Sequence, residues 1–98
     1  MIVAVVTYRP EGLSAAEVDQ RFQASIPVFS AMPGLIRKYF CFDEAKGQGT
    51  SVYLWESREA AERCYGGPAF LDRFRASFGC EPAIEYLPAK LVVDGPAA

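Results

Sequence analysis

The chain has 98 residues, of which 51% are hydrophobic and 13% aromatic, so it is long enough for one domain with a real core and too apolar to be intrinsically disordered. Its ten basic and twelve acidic residues give a formal net charge of -2 and are interspersed, which predicts no nucleic-acid partner and no attraction to an anionic membrane. Histidine is absent, so the commonest metal ligand and the usual general base near neutral pH are missing; we expect no zinc site, no histidine-ligated haem and no Ser-His or Cys-His nucleophile.

Two features bear on the compartment of the protein. The longest apolar run, residues 1–6, is short and follows no basic segment, so we expect neither a signal peptide nor a transmembrane helix, and a cytoplasmic location. Cys41, Cys64 and Cys80 form no CxxC motif and are odd in number. This favours three reduced thiols, at least two of them partly buried.

The first half of the chain reads as a strand, a helix and a second strand. Residues 1–8 are β-branched and almost continuously apolar, as in a strand covered on both faces. Ser14 and Glu17 have the spacing of a capping box, which predicts the start of a helix. The segment Met32-Pro33-Gly34 is expected to end this helix. The side chains that this helix is expected to bury are spaced by three or four residues: Val18, Phe22, Ile26 and Phe29.

The second half reads as a hairpin followed by helices and a last strand. We expect a strand over residues 35–43, a loop with two glycines, and a strand over residues 50–56. Ser57 caps a helix over residues 58–65, and Gly66-Gly67 ends it before Pro68 begins another helical segment. The extended segment from Ala83 forms the last strand, and residues 94–98 are a frayed tail.

This order predicts a single α+β domain over residues 1–98 with the ferredoxin-like βαββαβ fold. Two right-handed crossovers build a four-stranded antiparallel sheet with the helices on one face. The other face of the sheet is left bare.

The length of the hairpin loop decides which side chains share a face of the sheet. If residues 45–48 are a four-residue connection, Trp55 lies opposite Lys38, Tyr53 opposite Phe40 and Ser51 opposite Phe42. These side chains then form one face, which we expect to be the bare one, and Arg37, Tyr39 and Cys41 go to the helix side. A loop one residue longer or shorter exchanges the two sets.

A bare aromatic face is not expected to stay exposed on a monomer. The simplest cover is the same face of a second copy, so we expect a homodimer through the sheet face. The C-terminal segment IEYLPAKLVVD is longer than a fourth strand requires. Its end is therefore a candidate to pair with the sheet edge of the partner.

The pattern PGLIRKYF, a glycine-containing turn, VYLWESREAAE and a closing extended segment resembles the dimeric α/β-barrel superfamily, which includes the antibiotic-biosynthesis monooxygenases. The branch it resembles most is that of the YdhR-type monooxygenases. The resemblance covers about residues 1–93, and its most specific parts are Pro33-Gly34 and the run from Tyr53 to Ser57. It implies a dimer of ferredoxin-like subunits, each with a pocket between sheet and helices. It also implies oxygenation of an electron-rich aromatic or polyketide-like substrate without metal, haem or flavin, in which the deprotonated substrate itself reacts with dioxygen.

The resemblance implies a pocket role for Trp55, which matches a strand tryptophan of the family. Its companion in the oxygenases is an asparagine, and this chain contains none. The other candidate substrate-binding residues follow from the hairpin: Tyr53, Lys38, Phe40, Arg37 and Tyr39. Lys38 either reaches solvent at the sheet edge or holds an enolate or carboxylate, with a pKa lowered by the surrounding rings. The sequence therefore leaves two hypotheses for the function. The first is an enzyme without cofactors, and the second is a non-catalytic homodimer that binds a small molecule or only assembles.

Overall fold

The computed structural model describes residues 1–97 and contains four strands and three helices in the expected order. The elements are β1 (Ile2–Tyr8), α1 (Ala15–Ser30), β2 (Leu35–Asp43), β3 (Gln48–Trp55), α2 (Arg58–Tyr65), α3 (Pro68–Phe78) and β4 (Ala83–Pro88). The strands form one antiparallel sheet in the order β2-β3-β1-β4. The predicted ferredoxin-like fold is confirmed. The tail predicted to fray ends at Ala98, which lies outside the described residues.

The helix boundaries follow the capping signals in the sequence. The Ser14 hydroxyl accepts a hydrogen bond from the Glu17 N–H at 3.2 Å, and the Glu17 carboxylate accepts one from the Ser14 N–H at 3.0 Å. The Ser57 hydroxyl likewise accepts from the N–H of Ala60 at 3.1 Å. No helix among residues 1–97 is long and apolar enough to cross a membrane.

Gly34 sets how closely α2 approaches the sheet. Its φ of +81° is in the left-handed region, and a Cβ added there would lie 2.5 Å from the Cβ of Ala60 in α2. Its carbonyl accepts a hydrogen bond from the N–H of Glu56 at 2.8 Å. The Pro33-Gly34 pair therefore joins the end of α1 to the start of α2 at a distance that only glycine permits.

The hairpin is closed by four residues, 44–47, because Asp43 pairs with Gln48. The loop has the predicted length but begins one residue earlier. Lys38 therefore lies opposite Tyr53 and Phe40 opposite Ser51, instead of the predicted partners two residues further along β3. Since the shift is even, the predicted set still shares one face.

The prediction that this set forms the bare face is wrong. Trp55 and Tyr53 are 0% and 2% exposed and lie under the helices, in the same core as Ile2, Ala4 and Val6 of β1. The physical reason is size, since large rings fill the depth between sheet and helices, whereas small aliphatic side chains leave a flatter surface. Arg37, Tyr39 and Cys41, predicted on the helix side, are exposed on the other face.

The apolar side chains of the open face are mainly aliphatic. Val5 pairs with Val52 on adjacent strands, and Val52 pairs with Tyr39 of β2. After Pro88 the chain runs on without regular structure through residue 97, where Leu91 and Val93 are 87% and 89% exposed. We call the face that includes Val3, Val5, Tyr39, Val52 and Leu54 the open face.

Candidate functional site

A cavity of about 340 Å³ lies between α1, α3 and the helix-covered face of the sheet. Its floor is made by the side chains of three strands: Tyr8, Lys38, Phe40, Ser51 and Tyr53. Phenylalanines of both helices form most of its walls: Phe22, Phe29, Phe70, Phe74 and Phe78. A volume of a few hundred Å³ with an apolar lining and few polar groups is typical of a small-molecule site.

Lys38 projects from β2 into a box of three aromatic rings at one side of this cavity. Its Nζ lies 3.4 Å from the ring centre of Phe29, 4.0 Å from that of Phe40 and 4.5 Å from that of Tyr53. Phe29 comes from α1, so the box joins the helix to the hairpin. Among residues 1–97, Lys38 forms no salt bridge and its ammonium group has no hydrogen-bond partner.

Burial lowers the pKa of the Lys38 ammonium group from 10.5 to about 7. The ring faces themselves attract a cation, which opposes part of the loss of hydration. An amine with this pKa is present in both protonation states at neutral pH. It is therefore suited to accept a proton from a bound ligand and then to pair with the resulting anion.

The charged groups around the cavity are all cationic. Arg21 of α1 and Arg73 of α3 line it together with Lys38, whereas no carboxylate of residues 1–97 does, although acidic residues outnumber basic ones in the chain. The Arg21 Nε donates a hydrogen bond to the carbonyl of Ser77 at 3.2 Å and so ties α1 to α3. Arg73 takes part in no ion pair among residues 1–97. The cavity therefore favours an anionic ligand.

Two phenols and one hydroxyl supply the remaining polar groups of the floor. The Tyr8 hydroxyl lies 3.4 Å from the Ser51 Oγ, and burial raises the pKa of Tyr8 above its usual value. Burial raises the pKa of Tyr53 as well. Both phenols are therefore protonated at neutral pH, where they can donate hydrogen bonds to a ligand oxygen but cannot act as bases.

Three of the six predicted site residues meet at the cavity, namely Lys38, Phe40 and Tyr53. Trp55 does not line it: the indole stacks on Tyr53 with ring centres 5.8 Å apart, and its N–H donates to the Tyr65 hydroxyl at 3.1 Å. Because this N–H already has a partner, Trp55 supports Tyr53 from behind and presents no donor to a ligand.

Arg37 and Tyr39 lie on the open face, away from the cavity. The Arg37 guanidinium donates a hydrogen bond to the Tyr39 hydroxyl at 3.3 Å, and this bond raises the pKa of Arg37. The alternation of β2 separates these two residues from Lys38 and Phe40. They form a surface pair with no access to the candidate site.

Three residues that line the cavity were not predicted from the sequence: Tyr8, Arg21 and Arg73. A signal exists for Arg73, since it lies three residues after Phe70 and one before Phe74, at the border of the apolar stripe of α3. Tyr8 ends a continuously apolar strand, so nothing local marks it. Its ring packs 4.8 Å from that of Phe74, which gives the floor its contact with α3.

No group of three or more His, Cys, Asp or Glu side chains within residues 1–97 is placed to hold a metal ion. The three cysteines are free, Cys41 on the surface and Cys64 and Cys80 half-buried. Burial raises the pKa of Cys64 and of Cys80, so neither thiol is activated as a nucleophile.

Comparison with known proteins identifies relatives by structure only. No family model and no curated protein sequence matches the chain. The structure of SnoaB, a cofactor-independent oxygenase from Streptomyces nogalater, is similar over 96% of this chain and 97% of its own, with 19% identity and a TM-score of 0.73. A monooxygenase from the gene ActVA-Orf6 of Streptomyces coelicolor, in complex with nanaomycin D, is similar over 96% and 92%, with 16% identity and a TM-score of 0.66.

A third similar structure binds a different ligand. It is a variant of MhuD with two manganese protoporphyrin IX molecules per active site, similar over 97% of this chain and 100% of its own, with 20% identity and a TM-score of 0.71. At these identities the likeness establishes the fold and leaves the ligand open. The chain therefore has the ferredoxin-like fold of the antibiotic-biosynthesis monooxygenase-like proteins, as its sequence resemblance predicted.

Proposed function

We propose that this protein is a cofactor-independent monooxygenase that oxidises a small acidic aromatic or polyketide-like molecule in the cavity between sheet and helices. The observation that carries the proposal is the position of Lys38, which faces a mainly apolar cavity from within a box of three rings. The names of SnoaB and ActVA-Orf6 as oxygenases on the same fold support the reaction class.

The proposed reaction starts with proton transfer to the neutral Lys38 amine from an acidic C–H or O–H of the ligand. The enolate that forms pairs with the Lys38 ammonium group and gives electrons to dioxygen, which yields a carbon–oxygen bond and a peroxide anion. Lys38 returns the proton to this peroxide. Loss of water then converts a CH₂ group into a carbonyl group, so one oxygen atom enters the product and the other leaves as water.

The other cavity residues position the ligand in this scheme. Arg73 and Arg21 are placed to hold an anionic substituent at the helix side, while the phenol of Tyr53 donates to an oxygen near Lys38. The phenylalanine walls exclude water, which strengthens the pairing between ammonium and enolate. The preferred substrate is thus a bicyclic or tricyclic aromatic with an acidic ring position and a carboxylate.

A porphyrin ligand like that of MhuD is not part of this proposal. The chain has no histidine to ligate the metal, and two porphyrins do not fit a cavity of about 340 Å³. The contrast with MhuD illustrates that ligands differ among proteins of this fold.

The proposed active form is a homodimer in the cytoplasm, joined through the open face. The support for the dimer is the row of valines and Leu54 on this face, together with the exposed Tyr39 and Leu87 beside them. In such a dimer the exposed Leu91 and Val93 would reach the partner. The candidate cavity lies on the opposite side of each sheet.

A second candidate function is binding without catalysis. The observation that favours it is the lining of the cavity, to which residues 1–97 contribute neither an amide side chain nor a carboxylate. Lys38 and the two arginines alone are sufficient to retain an anionic aromatic ligand.

Oxygen consumption distinguishes the two functions. Anthrone, 1,4-naphthoquinol and a ring-carboxylated derivative of each are offered to the wild type, Lys38→Met and Trp55→Phe, with product analysis by mass spectrometry and with folding checked by circular dichroism. The proposal predicts turnover by the wild type, a loss of about 10²-fold or more in Lys38→Met, and a smaller loss in Trp55→Phe. Tight binding by the wild type without oxygen uptake across the panel would establish the second function instead.

A further inference from the structure

Lys38 differs from the other lysines of the chain by its surroundings. Lys46 lies in the hairpin turn and Lys90 in the C-terminal segment, both exposed to solvent. Lys38 is half-buried, lines the cavity, and is free of ion pairs and hydrogen bonds among residues 1–97. An amine of this kind is chemically more than a proton carrier, because its neutral form is a nucleophile.

We propose that Lys38 forms an imine with aromatic aldehydes that enter the cavity, so that the site captures carbonyl compounds covalently. The proposal rests on three geometric features: an amine at the surface of an apolar cavity, ring faces that hold its side chain in place, and space for a flat ring system beside it. It does not depend on the oxygenase activity proposed above.

The reaction balances without any oxidant or reductant. The Lys38 nitrogen forms a bond to the aldehyde carbon, and a proton passes from nitrogen to the carbonyl oxygen to give a carbinolamine. The carbon–oxygen bond then breaks, and the hydroxyl group leaves with a proton as water while the C=N bond forms. The hydroxyls of Tyr8, Ser51 and Tyr53 line the same cavity and are the available proton donors for the departing oxygen.

The surroundings favour the imine in two ways. An apolar cavity disfavours the ammonium form, and burial does lower the pKa of Lys38 to about 7. A dry cavity also slows hydrolysis of the product. Arg73 and Arg21 at the helix side add a preference for an aldehyde that carries a carboxylate on the far side of its ring system.

Reductive trapping tests the inference directly. The folded protein is incubated at pH 7 with 2-naphthaldehyde or 6-formyl-2-naphthoic acid and sodium cyanoborohydride, and the alkylated residues are located by peptide mapping. Mapping is required because a terminal amine also reacts with aldehydes. We expect alkylation of Lys38 at least about tenfold faster than of Lys46 and Lys90, because burial in the cavity lowers the pKa of Lys38 and favours its neutral, nucleophilic amine, with faster labelling by the carboxylated aldehyde.

Two variants keep the result interpretable. Lys38→Met fills the box with an apolar side chain and Lys38→Arg keeps the charge, and neither can form the imine; both should lose the fast labelling while Lys46 and Lys90 react as before. Labelling of Lys38 at the rate of the two surface lysines, or unchanged fast labelling in the variants, would overturn the inference. Oxygen uptake is measured in a separate experiment. Fast alkylation of Lys38 without oxygen uptake would therefore support imine formation and contradict the proposed monooxygenase activity.

Discussion

The two faces of the sheet differ in what their side chains do. The helix-covered face carries Trp55, Tyr53, Phe40 and Lys38, fills the core and leaves a cavity. The open face carries Val5, Val52 and Leu54 beside the exposed Arg37 and Tyr39 of β2, and no helix of residues 1–97 lies over it. Both faces carry large apolar side chains, so the presence of such side chains does not distinguish them. Size and shape do, because large rings pack against helices and leave a cavity, whereas short aliphatic chains leave a flatter surface suited to another sheet.

Two cationic residues that are neighbours in sequence also differ in the face on which they lie. Lys38 and Arg37 are adjacent in sequence but lie on opposite faces of β2. Lys38 is enclosed by three aromatic rings, whereas Arg37 is exposed and donates a hydrogen bond to the Tyr39 hydroxyl. Substitutions at such pairs test whether the faces have the separate roles that we assign.

The largest effect on stability is expected at the centre of the covered face. Trp55→Ala removes a fully buried indole and its hydrogen bond to Tyr65, which should lower the free energy of unfolding by about 3–5 kcal/mol. Tyr39→Ala on the open face removes a ring that is 52% exposed and should lower it by less than about 1 kcal/mol. Urea unfolding in dilute protein, where association does not contribute, measures both. An equal loss of unfolding free energy in the two variants would contradict the assignment of the core to the helix-covered face.

A charge on the open face should act on association and leave the fold intact. Val52→Asp places a carboxylate between Val5 and Tyr39, within the face through which we propose that the dimer forms. We expect dissociation to become more than about 100-fold easier, about 3 kcal/mol, with an unchanged circular dichroism spectrum. Analytical ultracentrifugation checks this, with Asp19→Lys on the outside of α1 as the control. A wild type that is monomeric at micromolar concentration would refute the dimer.

Lys38 should make stability depend on pH in a known direction. Its pKa is about 7 in the folded protein and near 10.5 when unfolded, so between these values the unfolded chain binds more protons and stability rises with pH. Other groups also contribute to the pH dependence of stability, so the useful quantity is the stability of the wild type minus that of Lys38→Met. From pH 7 to pH 9 this difference should move by about 2 kcal/mol in favour of the wild type. A flat difference would show that Lys38 stays hydrated and charged in the folded state.

Much of the fold was predictable from local signals in the sequence. The capping box at Ser14, the stop at Pro33-Gly34 and the break at Gly66-Gly67 each have a local physical cause, and all three appear in the structure. The composition of the hairpin face was predictable as well, because alternation fixes which residues point the same way whenever the loop length is even.

The side of the sheet on which this face lies was not predictable from the hairpin alone. β1 is apolar at nearly every position, so its sequence marks the solvent side only weakly, through Thr7. Arg73 and Tyr8 reach the cavity only because α3 crosses the end of β1, and that contact joins residues about seventy positions apart in the chain. Local patterns contain no information on such a contact.

The central claim is that the covered face, with Lys38, is the ligand-binding face. Isothermal titration calorimetry with 1-hydroxy-2-naphthoate tests it most directly on the wild type, Lys38→Met and Arg37→Met. We predict that Lys38→Met weakens binding at least about tenfold, equivalent to about 1.4 kcal/mol, and that Arg37→Met binds like the wild type. Binding that is lost in Arg37→Met and kept in Lys38→Met, or equal in all three proteins, would contradict the claim.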